Sequence, residues 1–134
     1  MIDISTMNMD TPLHCASYKS RTDAMQLLIE LGADINKKNK HGYTSLHYTS
    51  LYGNINTVRL LIEHGAKVNV NSNVGVIPLH YASYKGDVDM IQLLIEHGAD
   101  VNKRDSRKRT PFHCAMKRGH NDAIVLLDAC GAHE

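Results

Sequence analysis

Histidine and cysteine are the residues of this chain whose chemistry could support a metal site or a nucleophile. Nine histidines occur among 134 residues, and His64 and His97 both precede a glycine, 33 residues apart. Packed helices lie roughly 8–10 Å apart, whereas the ligands of one zinc ion each lie about 2 Å from the metal, so two histidines one repeat apart are poorly placed to share a zinc ion. No HExxH motif or paired-cysteine spacing occurs either. The sequence therefore predicts no metal and no other cofactor.

The three cysteines, Cys15, Cys114 and Cys130, are odd in number and widely spaced. This spacing does not form a disulfide framework, so a reducing, cytoplasmic environment is expected. No phosphate-binding GxxxxGK[ST] loop is present. We therefore expect no enzymatic activity. Hydrophobic residues make up 43% and charged residues 22% of the chain, which excludes a disordered protein, and no apolar run or signal peptide indicates a membrane.

Two phrases recur through the chain at a step of 33 residues, and they indicate the elements that hold these side chains. Each of the four copies of the first phrase has histidine as its fourth residue: TPLHCA at 11–16, TSLHYT at 44–49, IPLHYA at 77–82 and TPFHCA at 110–115. The second is LLIELGADIN at 27–36, LLIEHGAKVN at 60–69, LLIEHGADVN at 93–102 and the shortened LLDACGAHE at 126–134.

Each of the four units has the signals of two short helices and a turn. Threonine precedes the first helix in three units, where its hydroxyl can cap the helix, and proline follows in three. Gly53, Gly86 and Gly119 are placed to end the first helix in a left-handed conformation. The second helix ends at the glycine of the second phrase, and Gly42 or Gly75 predicts a tight turn. Helices this short are unstable alone and must pack on their neighbours.

A 33-residue step with T-P-L-H-x-A, a turn and two helices resembles the ankyrin repeat. The resemblance implies an all-α ankyrin-repeat solenoid of four stacked helix–turn–helix units with projecting β-hairpin-like turns. It implies one domain, 1–134, with repeats at approximately 5–37, 38–70, 71–103 and 104–134. It also implies that the repeated histidine hydrogen-bonds within and between turns. Cys15 and Cys114 alternate with tyrosine in one repeat column, which indicates packing.

Several residues depart from the repeat pattern. Met9 and Ser20 stand where later units have glycine. Ile77 replaces the capping threonine, which we expect to cost roughly 1 kcal/mol. Asp128 replaces an isoleucine of the earlier units, and we expect it to mark a polar end of the array and a genuine C-terminus. The first unit lacks such a polar substitution, so the array is expected to be able to continue before it.

In ankyrin-like stacks, partners commonly contact the turn and the end of the first helix on the concave side. With Lys38, Asn71, Arg104, Ser106 and Asp10, these columns comprise 21 positions, which hold nine of the 15 Lys and Arg and one of the 14 acids. The predicted contact residues are Tyr18, Lys19, Lys40, His41, Tyr43, Leu51, Tyr52, Asn73, Val74, Val76, Tyr84, Lys85, Arg107, Arg109, Lys117 and Arg118.

A basic, tyrosine-rich face predicts a non-catalytic, monomeric module that binds another protein, either an acidic surface or an extended peptide. Tyr18, Tyr43, Tyr52 and Tyr84 would be the anchors, and Leu51, Val74 and Val76 are expected to be exposed beside them. Nucleic-acid binding competes with this interpretation, because residues 103–109 read KRDSRKR, a run that also leaves a nuclear location open. A scaffold without a partner, in which the charges only maintain solubility, would also fit the sequence. So would a regulatory fragment of a larger protein, which would leave the binding face intact.

Overall fold

The computed structural model of the chain describes residues 8–133, and within this range it contains eight α-helices and no strand. The chain divides into two compact units, Met1–Lys67 and Val68–Glu134, which we call the N-terminal and the C-terminal unit. The N-terminal unit contains α1 (Pro12–Tyr18), α2 (Thr22–Glu30), α3 (Ser45–Tyr52) and α4 (Ile55–Glu63). The C-terminal unit contains α5 (Pro78–Lys85), α6 (Val88–Glu96), α7 (Pro111–Arg118) and α8 (Asn121–Ala129).

Each unit consists of two successive helix pairs packed side by side. In the N-terminal unit α1 packs on α3, and α2 packs on α4; in the C-terminal unit α5 packs on α7, and α6 on α8. Leu13, Met25, Leu46 and Leu61 are fully buried in the first core, and Leu79, Met90, Ile91, Leu94 and Leu127 in the second. The predicted all-α class of ankyrin-type helix pairs is confirmed, whereas the prediction of one domain with four repeat boundaries stays a prediction. None of the helices within residues 8–133 is long and apolar enough to cross a membrane.

The turns that precede α3, α5 and α7 have the predicted hairpin-like form. The N–H of Asn39 donates to the carbonyl of Tyr43 at 2.9 Å, and the N–H of Asp105 donates to the carbonyl of Arg109 at 3.0 Å. Inside the C-terminal unit the two turns are also joined, because the N–H of Ser106 donates to the carbonyl of Val74 at 2.9 Å. Each turn is therefore held in place by its own backbone.

The first helices begin where the capping residues predict. The Thr11 hydroxyl accepts from the N–H of His14, and the Thr110 hydroxyl from that of His113, both at 3.2 Å. Ile77 has no hydroxyl, but its carbonyl accepts from the N–H of His80 at 3.0 Å and its side chain is fully buried. Apolar burial therefore offsets the cost that we predicted for the lost cap.

The glycines that end the first helices do not all serve one purpose. Gly86 and Gly119 adopt the predicted left-handed conformation, with φ of 76° and 70°. The same prediction is wrong for Gly53, whose φ of −93° is open to any residue. A Cβ there would collide with the Thr57 hydroxyl oxygen and would lie 2.8 Å from the Thr49 carbonyl oxygen. Gly53 is required by close packing and not by its backbone angle.

An asparagine in the second phrase connects successive repeats, a feature that was not predicted from the sequence. The Asn36 amide donates to the carbonyl of Gly65 at 3.1 Å and accepts from the N–H of Lys67 at 2.9 Å. Asn69 and Asn102 make the same pair of hydrogen bonds inside the C-terminal unit. This side chain therefore links the loop after one second helix to the glycine and loop that follow the second helix of the next repeat.

Candidate partner-binding surfaces

Two tyrosines at the helix ends of the N-terminal unit form an exposed aromatic pair. Tyr18 is the last residue of α1 and Tyr52 the last of α3, and their ring centroids lie 4.6 Å apart. Their side chains remain 53% and 50% exposed. Tyr48 lies beneath them, with its ring centroid 6.1 Å from that of Tyr18 and 6.5 Å from that of Tyr52. The two exposed rings therefore form an aromatic surface patch that packs against the Tyr48 ring.

A buried polar network holds Tyr48 in this position. The Tyr48 hydroxyl donates to Asp10 Oδ1 at 3.0 Å and accepts from Asn39 Nδ2 at 2.8 Å. Burial, and after it the Asp10 carboxylate, raise the pKa of Tyr48 well above its ordinary value, so the phenol stays protonated and keeps donating. The Asn39 oxygen accepts from the backbone N–H groups of His41 and Tyr43, both at 2.9 Å. Asn39 thus connects the backbone of the turn at residues 39–43 to the Tyr48 ring.

The turn extends the exposed pair into a continuous row of rings. The Tyr43 ring centroid lies 6.2 Å from that of Tyr48 and 6.3 Å from that of His41. We call the row His41, Tyr43, Tyr48, Tyr18 and Tyr52 the aromatic face. Lys19 directly follows Tyr18 and is exposed, as are Lys38 and Lys40 on the turn. Asp10, the one acid among the predicted positions, is half-buried and engaged in the Tyr48 network.

In the C-terminal unit, two predicted residues pair with each other. The Arg118 guanidinium lies 4.7 Å from the centroid of the Tyr84 ring, and its Nη1 donates to the Tyr84 hydroxyl at 3.3 Å. The backbone carbonyl of Tyr84 accepts from His120 Nε2 at 2.9 Å. Tyr84 remains 41% exposed, and Lys85 and Lys117 are exposed on the same two helices. The two side chains therefore form a cation–π contact at the surface.

Arg109 does not add an uncompensated positive charge to the basic run. Its Nε donates to Asp105 Oδ2 at 2.8 Å, and the Asp105 carboxylate also accepts the N–H groups of Arg107 and Arg109 at 2.9 Å. Burial acts to raise the pKa of Asp105, but the hydrogen bonds from Arg109 and Arg107 outweigh it and leave the pKa below its ordinary value. The turn at residues 103–109 therefore has fewer unpaired positive charges than its number of Lys and Arg residues indicates.

The expectation that Val76 is exposed is wrong, because its side chain is only 6% exposed while that of Val74 is 46% exposed. Gly75, between them, adopts a left-handed φ of 75° and turns the chain, so the two valines face different ways. The N–H of Val76 donates to the Ser72 hydroxyl at 3.1 Å. Leu51 is half-buried and Asn73 exposed. Val76 belongs to the core and not to a contact surface.

Two histidines of the first phrase, His14 and His80, hydrogen-bond to the turn of the next repeat. Thr11 N–H donates to His14 Nδ1 at 3.0 Å, and His14 Nε2 donates to the carbonyl of Tyr43 in the next repeat at 2.8 Å. His80 Nε2 donates in the same way to the carbonyls of Lys103 and Arg109, at 2.9 and 3.0 Å. Residues 8–133 contain no group of three or more His, Cys, Asp or Glu side chains that could hold a metal ion.

The cysteines lie in partly buried positions. All three are free thiols of intermediate exposure. Burial raises the pKa of the Cys114 thiol to about 11, so the thiolate, which is the nucleophilic form, is scarce at neutral pH. This environment fits the packing role that the alternation with tyrosine indicates.

The known protein families that match this chain are families of ankyrin repeats. Residues 2–73 match the family described as ankyrin repeats (3 copies), and residues 79–127 match ankyrin repeats (many copies). Alpha-latrotoxin-Lt1a of Latrodectus tredecimguttatus is 45% identical over 42 residues, which is 31% of this chain and 3% of the toxin. Ankyrin repeat and SOCS box protein 5 of Oryctolagus cuniculus is 63% identical over 30 residues, which is 22% of this chain and 9% of that protein.

These matches span only small parts of the relatives, so they identify the repeat and not the biology of the whole proteins. Ankyrin repeats generally mediate protein–protein interaction and are typically non-catalytic. The first family match alone covers more than half of the sequence, and its described residues contain the two helix pairs of the N-terminal unit. The chain therefore belongs to the ankyrin repeat family.

Proposed function

We propose that this chain is a non-catalytic interaction module that binds an acidic partner protein on the aromatic face of its N-terminal unit. The observation that carries the proposal is the pair Tyr18 and Tyr52, which stay half exposed although their rings are in contact. Tyrosine is among the residues that dominate the binding energy of protein interfaces. Rings held in place before binding lose little conformational freedom when a partner arrives.

The charge around the aromatic face favours an acidic partner. Lys19 directly follows Tyr18, Lys40 directly precedes His41 and Lys38 lies close before it, and all three are exposed, whereas Asp10 is engaged with Tyr48. Exposed lysines at a rim steer an oppositely charged partner and set its orientation, while the aromatic centre supplies the affinity. Packing and solubility alone would explain buried tyrosines and scattered lysines, but they do not explain a supported, half-exposed pair.

The other predicted residues extend the same proposal. In the C-terminal unit the stacked pair Tyr84 and Arg118, with Lys85, offers a second contact region of the same chemistry. Asn73, Val74 and Arg107 are exposed on turns, where a bound segment could contact them. We propose that the module acts as a monomer in the cytoplasm, which would suit its three free cysteines.

The test is affinity capture from a lysate of the source organism with wild-type chain and two variants. The Tyr18→Ala, Tyr52→Ala variant removes the exposed pair. Leu27→Ala is the matched control, because Leu27 is 56% exposed on α2 of the same unit and is not part of the aromatic face. We expect one protein to be retained by the wild type and the control and to bind the double variant at least about tenfold more weakly when purified. Circular dichroism checks that all three are folded.

Two results would contradict the proposal. The first is that the double variant captures the same proteins as the wild type with the same affinity. The second is that heparin and unrelated nucleic acids bind as tightly as any captured protein at low salt, since a polyanion site does not discriminate among polyanions.

A further inference from the structure

The aromatic face of the N-terminal unit differs in one respect from the corresponding surface of the C-terminal unit. Tyr18 and Tyr52 occupy the repeat positions that Tyr84 and Arg118 occupy in the C-terminal unit. There the Arg118 guanidinium lies 4.7 Å from the centroid of the Tyr84 ring and packs against it. In the N-terminal unit a second tyrosine replaces the arginine, and no Lys or Arg among residues 8–133 stacks on either ring. Both rings are therefore open to side chains of a partner.

The exposure of these rings is a property of their repeat columns. Tyr52 and Tyr84 each belong to a repeat that has another repeat before and after it in the sequence, and both are exposed. In the N-terminal unit α1 and α3 already pack on each other, yet Tyr18 at the end of α1 remains exposed as well. The packing of successive repeats therefore leaves this surface open.

Both exposed rings also carry a hydroxyl group that is available for a hydrogen bond. Neither the Tyr18 nor the Tyr52 hydroxyl has a hydrogen-bond partner among residues 8–133, whereas the Tyr48 hydroxyl beneath them is engaged with Asp10 and Asn39. A phenol hydroxyl can donate to a backbone carbonyl of a partner. The aromatic face thus offers open rings and two hydrogen-bond donors side by side.

The recurring ways in which proteins bind peptides require different surfaces. Adding a strand requires the exposed edge of a sheet, and residues 8–133 contain no strand. Recognition of a phosphorylated motif requires a cluster of arginines, whereas the cations adjacent in sequence to the rings are Lys19 and Lys40. Binding an amphipathic helix requires an apolar groove, whereas this face ends in polar hydroxyls. An extended proline-rich segment, in contrast, docks on exposed aromatic rings.

Such a segment, in the polyproline II conformation, matches both features of the face. Proline rings pack against aromatic rings, and the carbonyls of the segment make no internal hydrogen bonds, so they are free to accept from the two hydroxyls. The segment is extended before it binds and therefore loses little conformational freedom. Lys19 and Lys40 are exposed beside the rings in sequence, and their charge favours acidic residues next to the prolines.

We propose that the aromatic face binds a polyproline II segment of the partner in which acidic residues flank two prolines three residues apart. This inference rests on the proposed function, because it names the chemistry of the partner at the same site. A polyproline II helix has three residues per turn, so prolines at this spacing point to the same side. The Tyr18 and Tyr43 centroids lie 6.1 and 6.2 Å from that of Tyr48, which allows each proline to contact one of these rings.

The test is a selection from a random twelve-residue display library. The library is first depleted on the Tyr18→Ala, Tyr52→Ala variant and is then selected on the wild-type chain. We expect the enriched peptides to contain prolines three residues apart with Asp or Glu beside them. As labelled synthetic peptides they should bind the double variant at least about tenfold more weakly in fluorescence anisotropy. Peptides in which both prolines are replaced by alanine should lose affinity to a similar degree.

Two further variants separate ring contact from hydrogen bonding. Tyr18→Phe, Tyr52→Phe keeps both rings and removes only their hydroxyls, so it should bind the peptides about three- to tenfold more weakly, as expected for the loss of a hydrogen bond. Tyr84→Phe is the matched control, because Tyr84 is exposed in the other unit and should not contribute to peptide affinity. Circular dichroism checks that each variant is folded.

Three outcomes would overturn the inference. One is that no peptide is enriched after depletion. Another is that the enriched peptides lack proline, for example because they carry leucines at helical spacing. The third is that the alanine-substituted peptides bind as tightly as the originals. None of these contradicts the proposed function, which fails instead when the captured proteins bind the Tyr18→Ala, Tyr52→Ala variant as tightly as the wild type.

Discussion

Residues of the types that perform catalysis elsewhere serve here to hold the backbone. His80 Nδ1 accepts from the N–H of Ile77 at 3.0 Å while Nε2 donates to the carbonyls of Lys103 and Arg109. Both ring nitrogens are thus committed, and only the neutral tautomer with a proton on Nε2 satisfies all partners. Burial lowers the pKa of His80, although hydrogen bonds to backbone carbonyls act in the opposite direction.

This arrangement predicts an acid-sensitive C-terminal unit. Because the pKa of folded His80 lies below its ordinary value of 6.5, the unfolded chain takes up a proton first as pH falls. The stabilisation by neutral His80 is complete above pH 6.5 and decreases as pH falls from there toward the lowered pKa. His80→Gln should be less stable at neutral pH but lose less on acidification, by up to about 1.4 kcal/mol per pH unit.

Urea unfolding of the wild type and His80→Gln between about pH 7.5 and pH 5 measures this difference. His41→Gln is the control, because His41 is exposed on a turn of the other unit. Parallel stability curves for the wild type and His80→Gln would show that His80 does not carry the pH dependence.

Capping residues and glycines define the helix ends at equivalent positions along the chain, but they do so through different interactions. Thr11 and Thr110 cap with a hydroxyl, whereas Ile77 uses its carbonyl and buries its side chain. Gly86 ends a helix through its left-handed φ, whereas Gly53 leaves room for α4 to start directly against the end of α3. The helices therefore begin and end at equivalent positions in the repeats, but different interactions define these ends from one repeat to the next.

Gly53→Ala should lower the free energy of unfolding by about 1–3 kcal/mol through overpacking alone. The added Cβ meets the Thr57 hydroxyl oxygen and the Thr49 carbonyl, and no backbone strain contributes at a φ of −93°. Thermal and urea unfolding measure the loss. In a Thr57→Ala background the cost should shrink, because one of the two close contacts is gone. A neutral Gly53→Ala substitution, or an equal cost in both backgrounds, would contradict this explanation.

At the scale of the whole molecule, a net charge of +1 conceals an uneven distribution. The predicted contact columns hold nine Lys and Arg and one acid, so the rest of the chain is acidic. The structure reduces this contrast at Arg109, whose guanidinium pairs with the Asp105 carboxylate. The remaining exposed cations, among them Lys19, Lys40 and Lys85, still lie near tyrosines in sequence.

Partner binding should therefore weaken as salt rises. Exposed charges are screened over about 8–10 Å near physiological ionic strength, so the electrostatic part of the affinity should fall while the aromatic contact persists. Lys19→Gln, Lys40→Gln should bind more weakly at low salt and show a flatter dependence on salt. Titrating the purified partner at several sodium chloride concentrations measures both slopes. Equal slopes for the wild type and the variant would exclude these two lysines as steering charges.

The sequence by itself determined the features that are local and periodic. The capping threonines and most helix-ending glycines act on neighbours within a few residues, and the 33-residue step repeats them, so together they predict eight helices with tight turns between the units. The resemblance to the ankyrin repeat implied the hairpin-like form of these turns. The resemblance also placed Tyr18 and Tyr52 among the contact positions, whereas the contact between their rings was not predicted. Whether these residues bind a partner stays a prediction.

Only the tertiary structure decided the contacts between residues that are far apart in the chain. The hydrogen bond between Asp10 and Tyr48 spans 38 residues, and the one between Asn36 and Gly65 spans 29. The burial of Val76 likewise depends on the atoms that the fold brings against its side chain. Sequence periodicity states which positions are equivalent, but burial and hydrogen bonding depend on the atoms that the fold brings to each position, and these differ from one repeat to the next.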